Sequence, residues 1–136
     1  MAAVKELIRS EGDGSISFGD YTQNSKQKLD NYEYNGDIYK VKTFQEITKL
    51  ERNGMFVYES VPGTAVSEFR EDGDGVEFQV EGNEDAQITV ELAEDTEYEV
   101  FVDDNSIGKM STNLGGKLSI NVELGSGTVV RVRISR

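Results

Sequence analysis

The chain contains no histidine, no cysteine and no tryptophan, and a single proline in 136 residues. Without cysteine there is no disulfide framework, which excludes the small secreted scaffolds that replace a core with covalent staples. Without histidine or cysteine, the Ser-His-Asp and Cys-His arrangements of nucleophilic catalysis cannot be built, and a zinc site would need carboxylates alone. Carboxylate, tyrosine, lysine and serine chemistry remains. With 26 acidic residues almost any carboxylate pair can be proposed, so no catalytic residue is assigned. Phosphate-binding glycine loops are also missing: no G-x-x-x-x-G-K-S/T, and no G-x-G-x-x-G between a strand and a helix. No cofactor and no metal site is expected.

Long apolar runs are missing too. The first ten residues lack the apolar centre of a secretory signal, and no window approaches the ~18 apolar residues of a membrane span. The expectation is a soluble protein of the cytoplasm. Hydrophobic content of 36% beside 29% charged residues suffices for a packed core and argues against wholesale disorder.

Negative charge is abundant and unevenly placed. Residues 1–62 carry 8 basic and 10 acidic side chains, whereas residues 63–136 carry 6 and 16, so nearly all of the net −12 belongs to the second part. Such a field repels phosphate backbones and anionic lipid headgroups, which disfavours nucleic acid and membrane surfaces as partners. The charge reads first as a means of keeping the protein soluble, with a cationic partner as the alternative.

What the chain has is alternation. Val76, Phe78 and Val80 alternate with polar residues, as do Ala86, Ile88, Val90 and Leu92, then Tyr98, Val100 and Val102, then Leu118, Ile120 and Val122, then Val130, Val132 and Ile134. A period of two with one polar face describes half-buried strands. Asp103-Asp104-Asn105, Asn113-Leu114-Gly115-Gly116 and Gly125-Ser126-Gly127 supply residues tolerant of positive φ between them. A further strand is expected from Ile107 to Thr112. Residues 66–136 therefore read as a β-meander, strand after strand, and the fold class as all-β: an antiparallel sandwich or small barrel built from hairpins.

In the first part, Ile16 with Phe18, Leu29 to Tyr34, Ile38 to Thr43, Ile47 to Leu50 and Met55 to Tyr58 are candidate strands, with Asn53-Gly54 the best hairpin signal. Met1 to Ser10 fits a strand or a helical turn. Pro62-Gly63, where the charge balance shifts, marks a soft boundary between an N-terminal β region, 1–62, and a C-terminal sandwich or meander, 63–136. Domains that small are marginal alone, so the alternative is one domain in which the two parts pack together.

Glu11-Gly12-Asp13-Gly14 and Asp72-Gly73-Asp74-Gly75 echo each other. Neither has the ligand spacing of a calcium loop, and both read as turns in which aspartate bonds its own backbone. Among possible binding residues, Tyr32, Tyr34 and Tyr39 could form an aromatic platform for a sugar ring or a protein. Arg131 and Arg133 share a strand face and could hold an anion. Phe101 and Val129 fall on the polar phase of their strands and are candidate contact residues.

The run from Lys42 to Ala65, with Asn53-Gly54-Met55-Phe56-Val57-Tyr58 at its centre and Val61-Pro62-Gly63-Thr64 near its end, and Thr112-Asn113-Leu114-Gly115-Gly116-Lys117-Leu118 farther on, resemble a group of short acidic proteins of clostridial Firmicutes labelled endosialidase. The likeness runs nearly the full length, and the label implies a glycosidase acting on sialylated chains. Established sialidases place an arginine cluster and a tyrosine nucleophile in a β-propeller, and at roughly 40 residues per blade this chain covers about three blades. A looser likeness, in Tyr98 to Asp103 and Gly116 to Ile120, is to β-sandwich accessory modules of polysaccharide-active proteins, which bind and do not cleave. The expected function is a non-enzymatic interaction or structural protein, acting through protein contacts and self-association along strand edges. The alternatives are a carbohydrate-binding module and, behind it, the glycosidase.

Overall fold

The computed structural model describes residues 3–125 and 128–136. Thirteen strands follow one another: β1 (Ile8–Ser10), β2 (Ile16–Phe18), β3 (Gln27–Tyr34), β4 (Asp37–Phe44), β5 (Ile47–Arg52), β6 (Met55–Val61), β7 (Ala65–Asp72), β8 (Gly75–Glu81), β9 (Ala86–Glu91), β10 (Glu97–Val102), β11 (Asn105–Ser111), β12 (Lys117–Val122) and β13 (Val130–Ser135). They form two antiparallel sheets packed face to face. A seven-stranded sheet has the order β1-β2-β7-β8-β13-β10-β11, and a six-stranded sheet the order β12-β9-β6-β5-β4-β3. This is the expected β-sandwich; neither sheet closes into a barrel.

Alternation places the strands as expected. The inward sets of β8, β9, β12 and β13 are buried, as are Tyr98 and Val100 of β10, while Leu92 and Val102 are half-buried against the core. Between the sheets, the Tyr58 ring from β6 meets Phe18 of β2 edge-on at 5.2 Å and Phe78 of β8 at 5.7 Å, while Phe69 of β7 stacks on Phe78 at 5.6 Å. Offset and edge-on pairs of this kind add to the burial of their large apolar areas. Local turn chemistry also follows the sequence: Asn53 and Gly54 take φ of 54° and 78°, and Asp103 and Asp104 take 50° and 67°, the paired positive values of a tight hairpin. Of Gly125-Ser126-Gly127, the last two residues lie outside the described residues, as do Met1 and Ala2; β1 occupies the end of the opening segment.

Connectivity departs from the meander expected for residues 66–136. The hairpins β7–β8 and β10–β11 are present, but the chain passes between sheets after β8, β9, β11 and β12. A half-buried strand presents the same alternation to either sheet, so short turn-rich loops leave open which sheet comes next. The consecutive run β3-β4-β5-β6 is the longest true meander. Both sheets draw strands from either side of Pro62, and a single buried cluster extends from Ile8 to Ile134, so the parts numbered 1–62 and 63–136 interleave around one core.

The passage from β6 to β7 is held by buried hydroxyls. The Asp20 N–H donates to Thr43 Oγ1 (2.9 Å), and Thr43 Oγ1 lies 2.7 Å from Thr48 Oγ1. Thr48 donates to the Thr64 carbonyl (2.8 Å), and Thr64 Oγ1 sits 2.9 Å from the Tyr58 hydroxyl and 2.8 Å from Ser60 Oγ. All of these side chains are buried, so each hydroxyl depends on its neighbours for the bonds water would otherwise supply. The backbone passes close by as well: a Cβ on Gly63 would lie 2.0 Å from the Phe44 carbonyl oxygen.

Candidate interaction surfaces

The three tyrosines are brought together, on the inner side of the six-stranded sheet. Tyr32 of β3 pairs with Tyr39 of β4, and Tyr32 and Tyr34 pack against the core while Tyr39 is only 6% exposed. The Tyr32 hydroxyl accepts the Ser10 N–H at 2.8 Å and lies 3.1 Å from Ser10 Oγ, joining the edge strand β3 to the edge strand β1. A buried Tyr39 leaves no ring face for a sugar to stack on. The shared face of Tyr32 and Tyr34 was legible in the sequence; its direction was not, because a bulge between Leu29 and Tyr32 breaks the strict alternation that would have put Leu29 on the opposite side.

Arg131 and Arg133 do share the outer face of the seven-stranded sheet, and both are engaged. The Arg133 guanidinium lies 4.0 Å from the centre of the Phe101 ring, its cross-strand neighbour on β10. On its other side Arg133 pairs with Glu77 of β8. Arg131 stands 3.8 Å from Asp104, and its backbone N–H donates to Asp103 Oδ1 at 2.9 Å. Phe101, half-buried beneath Arg133, is covered on one face by that guanidinium, a cation–π contact. Val129 is half-buried in the segment leading into β13.

The two acidic loops are turns. Asp13 Oδ1 accepts the Ser15 N–H (3.1 Å) and the Ser15 hydroxyl (2.6 Å), while its other oxygen meets Arg70 at 2.7 Å. These hydrogen bonds from Ser15, with Arg70 beyond them, hold the Asp13 carboxyl below the ordinary range. Asp72 Oδ1 accepts from the N–H groups of Asp74 (2.7 Å) and Gly75 (3.0 Å). Among the described residues no group of three or more acidic side chains is placed to hold a metal ion.

Two features escaped the sequence reading. β11, at the edge of the seven-stranded sheet, is exposed at every position. Met110 pairs with the inward-facing Tyr98 and yet is 39% exposed at this sheet edge; Ile107, at a bulge against β10, is 53% exposed. Leu114, just beyond the strand, is 80% exposed. The broken alternation of Ile107-Gly108-Lys109-Met110 was the available signal.

Glu81, at the end of β8, is the second. It is buried, its Oε1 has no hydrogen-bond partner among the described residues, and desolvation raises its carboxyl above the ordinary value. Polar phase alone gave no hint of burial. An open depression of about 470 Å³ lies at the β6–β7 passage, lined by Val61, Pro62, Asn83 and Glu84 among others.

With this geometry in place, comparison adds no relative: no protein-family model matches the chain, and no curated protein or solved structure matches it. No helix among the described residues is long and apolar enough to cross a membrane.

Proposed function

We propose that this chain is a non-enzymatic interaction module of the bacterial cytoplasm whose β11 edge takes up an extended segment of a partner polypeptide by strand addition. One observation carries the reading: a whole edge strand, exposed along its length, offers backbone hydrogen-bonding groups beside Ile107 and Met110. An added strand gains main-chain hydrogen bonds for affinity and side-chain pockets for specificity. Edge strands are usually blunted by charge or by bulges. β11 has a single charged residue, Lys109, and its bulge turns Ile107 outward, so the protection is slight.

The test is crosslinking from a photoreactive group at Ser106, an exposed residue of β11, in cell extract and in purified protein at high concentration. A partner or a second copy crosslinked through an extended segment, and lost in Ile107→Lys, is the expected result. Crosslinks that survive Ile107→Lys unchanged, or partners retained with no contact to β11, would reject the reading.

A further inference from the structure

The outer face of the six-stranded sheet carries a feature that runs against the chain's overall charge. Five of the eight lysines lie between residues 26 and 49. Strand register sets three of them side by side: Lys28 of β3 pairs with Lys42 of β4, and Lys42 pairs with Lys49 of β5. The intervening residues Val41, Thr43, Thr48 and Leu50 are buried, so the lysines point outward. Neighbouring strands lie ~4.8 Å apart, and like charges directly opposite one another destabilise a sheet. Lys40 faces Glu51 and Lys49 is followed by Glu59, but none of these lysines forms an ion pair among the described residues; every ion pair there uses an arginine. A molecule with 26 acidic side chains thus sets three lysines in one row, with Glu59 opposite Lys49 at its end and no ion pair to any of them among the described residues.

The complement lies across the molecule. Glu94, Asp95 and Glu97 are exposed on the connection from β9 into β10 and form no ion pair among the described residues. The ridge is held in shape by the Asp95 N–H on the Asn113 carbonyl (3.1 Å) and the Thr96 N–H on Thr112 Oγ1 (3.0 Å). β3 ends one sheet on one side of the sandwich, whereas β10 lies beside the opposite edge, so one molecule can use both surfaces at once.

We propose that the lysine row of one copy docks on the Glu94-Asp95-Glu97 ridge of a second copy, giving head-to-tail self-association. A contact between two different patches does not close on itself and propagates as an open chain unless its rotation makes a ring. The overall negative charge opposes approach at long range. Near 0.15 M salt, where screening acts over ~8 Å, that repulsion fades while charges in contact still attract. The inference rests on the reading of the chain as an interaction protein but uses a surface apart from β11.

Sedimentation velocity on the purified protein, with charge-swapped variants, tests it. At about 0.15 M salt the wild type forms concentration-dependent oligomers that dissociate at about 1 M. Lys42→Glu with Lys49→Glu, and separately Glu94→Lys with Asp95→Lys, each weaken association by at least about tenfold through like-charge contact. Mixing the two variants restores it, because each supplies the charge the other lacks, and misfolding cannot imitate that recovery. Ile107→Lys associates as the wild type does. A wild type that stays monomeric, a mixture that fails to associate, or oligomers lost in Ile107→Lys would each overturn the proposal; the last would at the same time favour the β11 edge.

Discussion

Thr48 Oγ1 donates to the Thr64 carbonyl at 2.8 Å and accepts the Thr64 N–H at 3.1 Å, so one side chain of β5 satisfies both backbone groups of the residue that ends the passage into the other sheet. Thr43 completes the hydroxyl's environment at 2.7 Å. With Thr48 donating to the carbonyl, Thr43 must be the donor to Thr48, and its own remaining acceptor site takes the Asp20 N–H. The chain of donors therefore has one consistent direction, and removing its middle member leaves several buried groups unpaired.

Thr48→Val, nearly the same shape, should therefore destabilise the protein by ~2–4 kcal/mol, since each buried group left without a partner costs about 1–3 kcal/mol. Thr48→Ser keeps the hydroxyl and should cost roughly 1 kcal/mol for the lost methyl. Urea unfolding at unchanged m-value measures both. Equal midpoints for the two variants would show that the hydroxyl network contributes little.

Glu81→Gln should stabilise the fold at neutral pH. Desolvation raises the folded carboxyl above its unfolded value, so folding favours the protonated form. The contribution is complete below the unfolded pKa and is lost as pH rises through the folded one. Glutamine has no proton to lose and should gain ~1 kcal/mol at pH 7, with the advantage shrinking toward about pH 4. Melting temperatures of both proteins across that range are the measurement. A glutamine variant less stable at pH 7 would mean that the carboxylate is ionised and partnered.

Tyr32→Phe should free β1 from β3. The hydroxyl accepts the Ser10 N–H at 2.8 Å across the open side of the sandwich, and Phe keeps the ring while removing the acceptor. The expected loss is ~1 kcal/mol, felt locally as about fivefold faster hydrogen exchange at the Ser10 amide. Unchanged exchange there, read by NMR, would place the anchoring of β1 in its pairing with β2 instead.

The strands themselves were legible because alternation and turn residues act over a few neighbours. Val76 to Val80, Ala86 to Val90 and Val130 to Ile134 bury one face whichever sheet receives them, and Asn53-Gly54 takes positive φ whatever lies around it. The shared face of Arg131 and Arg133, and the turn role of Asp13 and Asp72, followed from the same short-range rules.

The sequence by itself thus determined that this is an acidic, all-β chain of short, half-buried strands with hairpin turns. Only the tertiary structure decided that β9 and β12 leave the expected meander for the other sheet, that the tyrosines face inward, that Glu81 is covered, and that Lys28, Lys42 and Lys49 stand in one row. The physical reason is range: a strand's pattern says which of its faces is apolar, whereas its sheet, its neighbours and its exposure at an edge come from pairings between residues far apart in the chain.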